Sequence, residues 1–329
     1  MTIDVTRAID PDIAAALGSS PLGAIDFGTY TFDDLPAVRA AMAGVAPALL
    51  PTTTVTREVA IPGVGHDLRA LVYTPSTEAS GRPCLHWIHG GGYLFGSGLE
   101  VNARVNRWVE DLGCVVVSVD YRLAPEHPYP APLDDCDAAF RWSIDNADEL
   151  GIDPGRMVVG GTSAGGGLAA ALAIRARDRG GVQPVFQFLV YPMIDDRAVT
   201  PSSGIVGARV WSRGANELGW RAYLGERFGA ADVPAEAAPA RVENVAGLPP
   251  AWIGVGSIDV FRDEDITYAS RLLAAGITTE LHVYPGAPHG FEAIAPDSAV
   301  ARACQRDISE GMRRALRPET VVATARPTG

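Results

Sequence analysis

The sequence predicts an α/β fold with a mostly parallel sheet and helices on both faces. The first observation is a repeated alternation, after residue 53, of short apolar runs with helix-forming stretches, the pattern of βαβ units. The second is an apolar fraction of 47% in 329 residues, which is enough for a sizeable core. The third is that glycine-containing motifs follow several of the runs, at the strand ends where open α/β sheets bind ligands.

Residues 1–50 precede the first expected strand and contain two helix-like stretches. A helix is expected over 11–17 (PDIAAAL), because Asp10 can cap it and proline suits its first position. The second stretch, 34–50, is rich in alanine and interrupted by Pro36 and Pro47. These helices are expected to be an appended piece rather than the start of the sheet.

The sheet itself is expected from residue 53 onwards. Two β-rich runs separated by the turn-forming PGVG at 62–65 indicate an antiparallel pair at one edge. Helix-forming stretches separate the later runs, so those strands are expected to be parallel. The expected strands are 53–61, 68–73, 84–88, 114–119, 157–159, 186–190, 252–255 and 280–284, and the expected helices are 101–111, 133–146, 168–179 and 265–275.

One long insertion, 195–249, interrupts the alternation and has no strand pattern. A segment of this length inside a compact domain is usually a lid or a substrate-binding cap. We expect it to form one helical cap together with the N-terminal helices. Residues 318–329 are expected to be a polar tail. The insertion's large apolar side chains are Trp211, Trp220, Tyr223, Leu224 and Phe228.

Composition limits the classes of partner and compartment. A formal net charge of −12 argues against nucleic acid and anionic membranes as partners and is most simply explained by solubility. No signal peptide is expected at 1–8, and no apolar run approaches a membrane span. The four cysteines are far apart and without metal-ligand spacing, so we expect small buried residues in a reducing cytoplasm. These cysteines are Cys84, Cys114, Cys136 and Cys304.

The stretch 158–167 (VVGGTSAGGG) joins an expected strand to an expected helix and contains G-x-S-x-G. In that context Ser163 can be a nucleophile on a sharp turn, with Gly161 and Gly165 supplying room. Two phosphate-binding alternatives fail: a P-loop needs Lys followed by Ser or Thr after Gly165, and the dinucleotide fingerprint needs glycine where Ser163 stands. Since G-x-S-x-G alone occurs often by chance, other motifs must decide.

His89 and three glycines, 89–93 (HGGGY), follow the strand expected at 84–88. This is the oxyanion-hole motif of lipases and esterases, in which glycines let backbone N–H groups turn toward the substrate. The alternative interpretation is that these glycines only make the turn after the strand flexible. We expect His89 to fix this loop by hydrogen bonds rather than to act as a base.

His289, in PHGF at 288–291, follows the last expected strand and can reach the serine turn. Among six histidines, only His289 has both a strand-end position and the right place in the chain. Asp259 follows the strand at 252–255 and can orient that histidine, giving the order Ser, Asp, His of α/β-hydrolases. Three other nearby acids could also orient His289, but negative charge at the start of the next helix explains them more simply. The rivals are Asp263, Glu264 and Asp265.

With these motifs in place, the sequence resembles the bacterial hormone-sensitive-lipase-like esterases, also called family IV lipolytic enzymes. Thr162 stands where the commoner family motif has Asp, and a subgroup of the family is similar in having Thr there. The resemblance implies an α/β-hydrolase fold with an eight-stranded, mostly parallel sheet and a helical cap. The matching stretches are HGGGY at 89–93, VSVDYRLAPEHPYPAPLDD at 117–135, GGTSAGGGLA at 160–169, LVYPMID at 189–195, DVFRDE at 259–264 and YPGAPHGF at 284–291.

The resemblance also assigns domains and roles. The cap would comprise 1–50 and 195–249, and the hydrolase core 51–194 and 250–329. Residues that match the family's motifs are the triad Ser163, Asp259 and His289 and the oxyanion donors Gly91, Gly92 and Ala164. Aromatic residues beside the oxyanion loop and in the insertion are expected to line the substrate pocket, namely Tyr93, Phe95 and Trp211.

The expected function is a serine carboxylesterase that hydrolyses short- to medium-chain acyl esters through an acyl-enzyme intermediate. It requires no metal and no organic cofactor. The partner is a small-molecule ester, without nucleic acid or stable membrane insertion, and a homodimer is allowed. Two alternatives stay open: an amidase or peptidase using the same triad, and a non-catalytic ligand receptor on the same fold.

Overall fold

The computed structural model describes residues 4–6, 8–20, 25–43, 54–98 and 102–316. Within these residues eight strands form one sheet in the order β1-β2-β4-β3-β5-β6-β7-β8, an eight-stranded α/β sheet as expected. The strands are β1 Val55–Pro62, β2 Asp67–Thr74, β3 Arg82–Ile88, β4 Val115–Asp120, β5 Ile152–Thr162, β6 Phe186–Val190, β7 Ala251–Gly256 and β8 Thr279–Tyr284.

The sheet is antiparallel only at one edge. β1 pairs with β2, and β2 with β4, in antiparallel register, which confirms the expected edge pair. From β4 to β8 every pairing is parallel, so the carboxyl ends of these strands meet at one edge. In the central strand β5, Gly161 lies opposite Ile88 of β3 and Leu189 of β6. The loop after β5 therefore emerges in the middle of the edge where ligands bind.

Helices cover both faces of the sheet. On β4, Val115 and Val117 belong to one hydrophobic cluster and Val116 to the other, because successive side chains of a strand point to opposite faces. The helices are α1 Pro11–Ser19, α2 Leu35–Ala43, α3 Asn102–Leu112, α4 Ala131–Asp145, α5 Ala147–Leu150, α6 Ala164–Arg179, α7 Arg213–Leu224, α8 Arg262–Ala274, α9 Phe291–Ile294 and α10 Ala299–Ala315. Helices α4, α6 and α8 contribute to the first cluster, and α1, α3 and α10 to the second.

Several element boundaries differ from the sequence expectation. Helix α6 begins directly after Ser163, four residues before the expected start at 168, although its first turn contains glycines of low helix propensity. Close packing explains their presence, since a methyl group on Gly165 would overlap the carbonyl of Ile88. Helix α8 begins at Arg262 rather than at 265. Helix α10 has no counterpart among the expected elements. The tail at 318–329 and the end of the stretch 34–50 lie outside the described residues.

The insertion after β6 contains helix α7 and short 3-10 turns, and it contacts the N-terminal segment. Phe27 packs against Trp211 with ring centroids 6.1 Å apart, and Asp4 pairs with Val206 in an isolated β-bridge. Helix α1 has the expected start: the Asp10 carboxylate accepts hydrogen bonds from the N–H groups of Asp12 and Ile13. These contacts place the N-terminal segment and the insertion side by side.

The cysteines lie where the sequence predicts them, in the interior. All four are free and buried, as expected of small apolar residues. Among the described residues, no helix has the length and apolar character needed to cross a membrane.

Candidate active site

Ser163 lies on a strained turn between β5 and α6. Its backbone has φ 55° and ψ −123°, a conformation rarely adopted by a residue with a side chain. Hydrogen bonds fix the turn: the Ser163 N–H donates to the carbonyl of Val190 at 2.9 Å, and its own carbonyl accepts from Met193 N–H at 3.0 Å. The turn places the side chain at the N-terminal end of α6, where the helix dipole favours negative charge.

His289 lies on the loop after β8 and joins the serine to a carboxylate. Its Nε2 is 2.9 Å from Ser163 Oγ, and its Nδ1 is 2.8 Å from Asp259 Oδ2. An ionised carboxylate only accepts, so Nδ1 carries the proton and Nε2 is free to accept from the serine hydroxyl. The three side chains form the hydrogen-bonded chain that a nucleophile, a general base and an orienting acid require.

Asp259 lies on the loop that follows β7. Its other carboxylate oxygen, Oδ1, accepts from the N–H of Phe261 at 3.0 Å. Each carboxylate oxygen therefore has its own hydrogen-bond partner, Oδ1 the Phe261 N–H and Oδ2 the imidazole. The side chain is fully buried, so water does not compete for the oxygen facing the imidazole. The structure thus brings together the acid, base and nucleophile named from the sequence.

The three rival carboxylates have other partners or none. Asp263 accepts from Ser202 N–H at 2.7 Å and from Arg262, and these bonds outweigh partial burial and lower its pKa. Glu264 accepts from the N–H groups of Ile194 and Asp195, while burial raises its pKa well above the usual value.

Asp265 is the most isolated of these acids. Among the described residues neither of its oxygens has a hydrogen-bond partner, and burial, with the neighbouring charges of Glu264 and Asp259, raises its pKa well above the usual value. The expected role of negative charge at the start of a helix therefore fits Asp263, whereas burial opposes that charge in Glu264 and Asp265.

The glycines after β3 form a tight loop facing the serine turn. Gly91 has φ 113°, and its carbonyl accepts from the N–H groups of Leu94 and Phe95 at 2.9 and 3.0 Å. In the part of the chain that the structure describes, no hydrogen bond occupies the N–H of Gly91, Gly92 or Ala164. Three backbone donors named from the family motif are therefore available to a substrate oxygen.

His89 supports this loop, as expected, and is not joined to the serine. Its ring stacks on Tyr121 with centroids 4.2 Å apart, and its Nδ1 is 2.8 Å from the carbonyl of Gly90. Burial lowers the pKa of His89, so the neutral ring is favoured and can donate from Nδ1. The Tyr121 hydroxyl in turn donates to the carbonyl of His89.

The three aromatic residues expected in the pocket have different surroundings. Trp211 borders the reacting groups: its ring is 6.2 Å from that of His289 and so close to Gly92 that a methyl group there would overlap it. Tyr93 is buried, stacked on Tyr223 at 3.9 Å, and donates to a backbone carbonyl. Phe95 packs on Phe27, 5.3 Å away. Ser163 and His289 are each only 6% exposed.

A group of polar side chains behind His289 is not marked as a group by any motif in the sequence. The ring of Tyr191 is 4.6 Å from that of His289, and the Tyr191 hydroxyl donates to Glu292, which also accepts from Arg104. Tyr191 belongs to the LVYPMID stretch that carries the family resemblance, and Glu292 comes three residues after His289. Nothing in the local sequence marks Arg104, because 188 residues separate it from its partner.

Comparisons with known proteins identify the family to which the chain is similar. The model of the family Abhydrolase_3, described as alpha/beta hydrolase fold, matches residues 85–293. Carboxylesterase NlhH of Mycobacterium tuberculosis is 37% identical over 320 residues, which cover 94% of this chain and 96% of that protein. Esterase LipI of the same organism is 36% identical over 293 residues, covering 88% of this chain and 90% of LipI.

A solved structure described as a bacterial heroin esterase is similar over nearly the whole chain. The TM-score is 0.89 at 40% sequence identity, and the match covers 94% of this chain and 99% of that one.

Proposed function

The chain belongs to the hormone-sensitive-lipase-like family of the alpha/beta hydrolase fold and is a carboxylic ester hydrolase, and from that premise we propose that Ser163, Asp259 and His289 are its catalytic triad. The observation that carries the proposal is the unbroken hydrogen-bonded chain from Ser163 Oγ through the imidazole to the buried carboxylate of Asp259. The strained turn at Ser163 supports it, since strain of this kind is concentrated at functional sites.

The proposed reaction is acyl transfer in two halves. His289 Nε2 takes the proton from Ser163 Oγ as that oxygen attacks the ester carbonyl carbon, and Asp259 stabilises the resulting imidazolium. The N–H groups of Gly91, Gly92 and Ala164 bind the oxyanion, and one such donor is worth on the order of 10²- to 10³-fold in kcat. His289 then protonates the leaving alcohol. In the second half, water activated by the same histidine releases the acid from Ser163.

We further propose that the substrate is a small ester with a short- to medium-chain acyl group. Ser163 and His289 are nearly enclosed, and the Trp211 ring lies beside both the imidazole and the oxyanion loop. An enclosed site favours ligands that it can surround. The cap that encloses it would comprise 1–50 and 195–249 and the core 51–194 and 250–329, a division supported by the contacts of Phe27 with Trp211 and of Asp4 with Val206.

Two expectations from the sequence remain proposals: a homodimer and a cytoplasmic location. Sedimentation equilibrium of the purified chain tests the first, because a single species of 34.6 kDa would exclude a stable dimer. Fractionation of the source cells tests the second, because recovery from the medium or the membrane fraction would exclude it.

A paired-substrate assay tests the reaction class. We expect p-nitrophenyl acetate to be hydrolysed with a kcat/KM at least about 10³-fold above that of p-nitroacetanilide, because the pair shares its acyl group and differs in the bond that breaks. Nitrophenyl esters of increasing acyl length then test the size limit. Faster turnover of the anilide, or a kcat/KM that is highest on palmitoyl or longer esters, would contradict the proposal.

A further inference from the structure

A buried polar group lies behind the catalytic histidine and takes no part in the reaction described above. Arg104 on α3 donates to Glu292 Oε1 at 2.7 Å, and the Tyr191 hydroxyl donates to the same oxygen at 2.5 Å. The Glu292 side chain is 1% exposed, whereas that of Arg104 is 27% exposed. We call this group the Arg104–Glu292–Tyr191 chain. It runs from the partly exposed guanidinium of Arg104 to the buried ring of Tyr191 beside His289.

The inner end of this chain contacts the imidazole. The rings of Tyr191 and His289 meet at 65° with centroids 4.6 Å apart, and Phe261 meets the imidazole at 89° and 5.0 Å. Such edge-to-face contacts stabilise ring pairs in one relative orientation. The imidazole therefore has an aromatic neighbour in Tyr191 and another in Phe261, in addition to its two hydrogen bonds.

The surroundings of Glu292 favour the charged form of its carboxylate despite burial. Burial alone would raise the pKa of Glu292, but the charge of Arg104 and the hydrogen bonds from Tyr191 and Arg104 outweigh it and hold the pKa below the usual value. A hydrogen bond from a phenol to an ionised carboxylate is short and strong. Tyr191 is thus fixed at its hydroxyl end by a charge and at its backbone end by a bond from its N–H to the carbonyl of Gly254 at 2.7 Å.

The backbone of Tyr191 is strained as well. Its φ is 37°, in the region that favours glycine, although it carries a large side chain. Strain of this kind persists only where the surroundings hold the residue in place. Replacing a buried ion pair by apolar side chains of similar volume is often neutral or stabilising. Stability alone therefore gives little reason for this arrangement beside the site.

From these contacts we propose that Tyr191 is a positioning residue for His289, and that Glu292 and Arg104 act through Tyr191 to hold it. This inference rests on the proposed function, in which His289 is the general base. The imidazole must pass a proton from Ser163 to the leaving alcohol without changing its position. Small errors in the position of a catalytic group can cost up to about 10²-fold in rate. A fixed ring behind the imidazole limits such errors.

Tyr191→Phe tests the proposal most simply, because it keeps the ring and removes the hydroxyl. We expect kcat on p-nitrophenyl acetate to fall roughly tenfold, with KM within about twofold, since the variant disturbs the base and leaves the pocket unchanged. The matched control is Tyr284→Phe. It also removes a tyrosine hydroxyl bonded to a carboxylate, Asp307 at 3.0 Å, but its ring contacts His282 and Phe291 instead of His289.

A double-mutant cycle tests whether Glu292 acts through Tyr191. If it does, Tyr191→Phe combined with Glu292→Gln lowers kcat no further than the more damaging single change, whereas independent effects would multiply. The downfield proton resonance of His289 Nδ1–H, bonded to Asp259, gives a second readout. We expect it to broaden in Tyr191→Phe and to stay sharp in Tyr284→Phe. If Glu292→Gln does not fold, this readout alone decides the role of Tyr191, and Arg104→Gln, whose side chain is partly exposed, takes the place of Glu292→Gln in the cycle.

The outcomes separate this inference from the proposed function. If His289→Ala abolishes activity while Tyr191→Phe has the same kcat and proton resonance as Tyr284→Phe, the positioning role is wrong and the triad stands. Independent, multiplying losses in the cycle would remove Glu292 from the role. If His289→Ala keeps wild-type activity, the proposed triad itself fails.

Discussion

At the scale of single residues, the four acids between 259 and 265 show how position decides chemistry. Only Asp259 faces the imidazole, at 2.8 Å, and Asp263 instead accepts from the backbone of Ser202. Asp259→Asn should keep the shape of the side chain but favour the wrong tautomer of His289. We expect kcat to fall by up to about 10⁴-fold, the loss seen for the same change in a serine protease triad.

Asp263→Asn is the control, and kcat should stay within about twofold of wild type because the carboxylate touches no reacting group. Both variants are compared at equal folded fraction, measured by circular dichroism. Near-wild-type turnover in Asp259→Asn with collapse in Asp263→Asn would move the orienting acid to Asp263.

Asp263 and Asp265, both on α8, have pKa values shifted in opposite directions, and the pH dependence of stability tests these directions. Asp265 is buried, no residue in the described ranges is hydrogen-bonded to its carboxyl oxygens, and burial raises its pKa. Asp265 binds its proton more tightly in the folded protein than in the unfolded one. Its contribution to the free energy of unfolding is therefore present below the unfolded pKa and is lost as pH rises through the folded pKa. We expect Asp265→Asn to gain free energy of unfolding relative to wild type as the pH rises from 4 to 8, measured in urea.

The contribution of Asp263 to stability changes with pH in the opposite direction. Its pKa is lowered, so its stabilising contribution is present above the unfolded pKa and is lost as pH falls through the folded pKa. Asp263→Asn should therefore be less stable than wild type near pH 7, and the difference should vanish in acid. Parallel pH profiles for both variants would show that the two carboxyl groups do not differ as the structure indicates.

At the scale of elements, the oxyanion loop depends on a backbone conformation that only glycine adopts easily. Gly91 has φ 113°, and a methyl group there would overlap the backbone carbonyl of Phe95. We expect Gly91→Ala to displace the donor N–H groups and lower kcat by about 10²- to 10³-fold, the effect of losing one oxyanion donor. The control is Gly18→Ala in α1, where no atom of the described residues lies within 4 Å of the added methyl group. An unchanged kcat in Gly91→Ala would exclude the loop from the oxyanion site.

Trp211, in the insertion after β6, provides the second prediction at this scale. The Trp211 ring lies against Gly92 and close to His289, so it limits the space beside the reacting carbonyl. Trp211→Ala should raise kcat/KM on octanoyl relative to acetyl nitrophenyl esters by about tenfold, because the freed volume admits additional methylene groups. Phe228→Ala is the control, since the Phe228 ring contacts Arg221 elsewhere in the cap. Equal acyl preference in both variants would show that Trp211 does not limit chain length.

At the scale of the whole molecule, local pattern predicted the sheet well and the buried contacts poorly. Seven of the eight strands were expected within two residues of their bounds, because apolar runs broken by turn residues are a local signal. The exception is β5, which was expected over 157–159 and is Ile152–Thr162. The motifs around Ser163 and His289 were equally local. The start of α6 was missed because close packing against β3 overrides the low helix propensity of its glycines. The Arg104–Glu292–Tyr191 chain could not be predicted, since its members are distant in sequence and meet only after folding.

The most direct test of the account is the site of covalent labelling by a serine-directed p-nitrophenyl phosphonate. The reagent requires an activated serine, an oxyanion hole and a base in one place, as the contacts of Ser163 and His289 provide. We predict that one equivalent attaches to Ser163 of the wild type with full loss of esterase activity, and that folded Ser163→Ala takes up none. Labelling at Ser97 or Ser118, or undiminished labelling of Ser163→Ala, would contradict the proposed nucleophile.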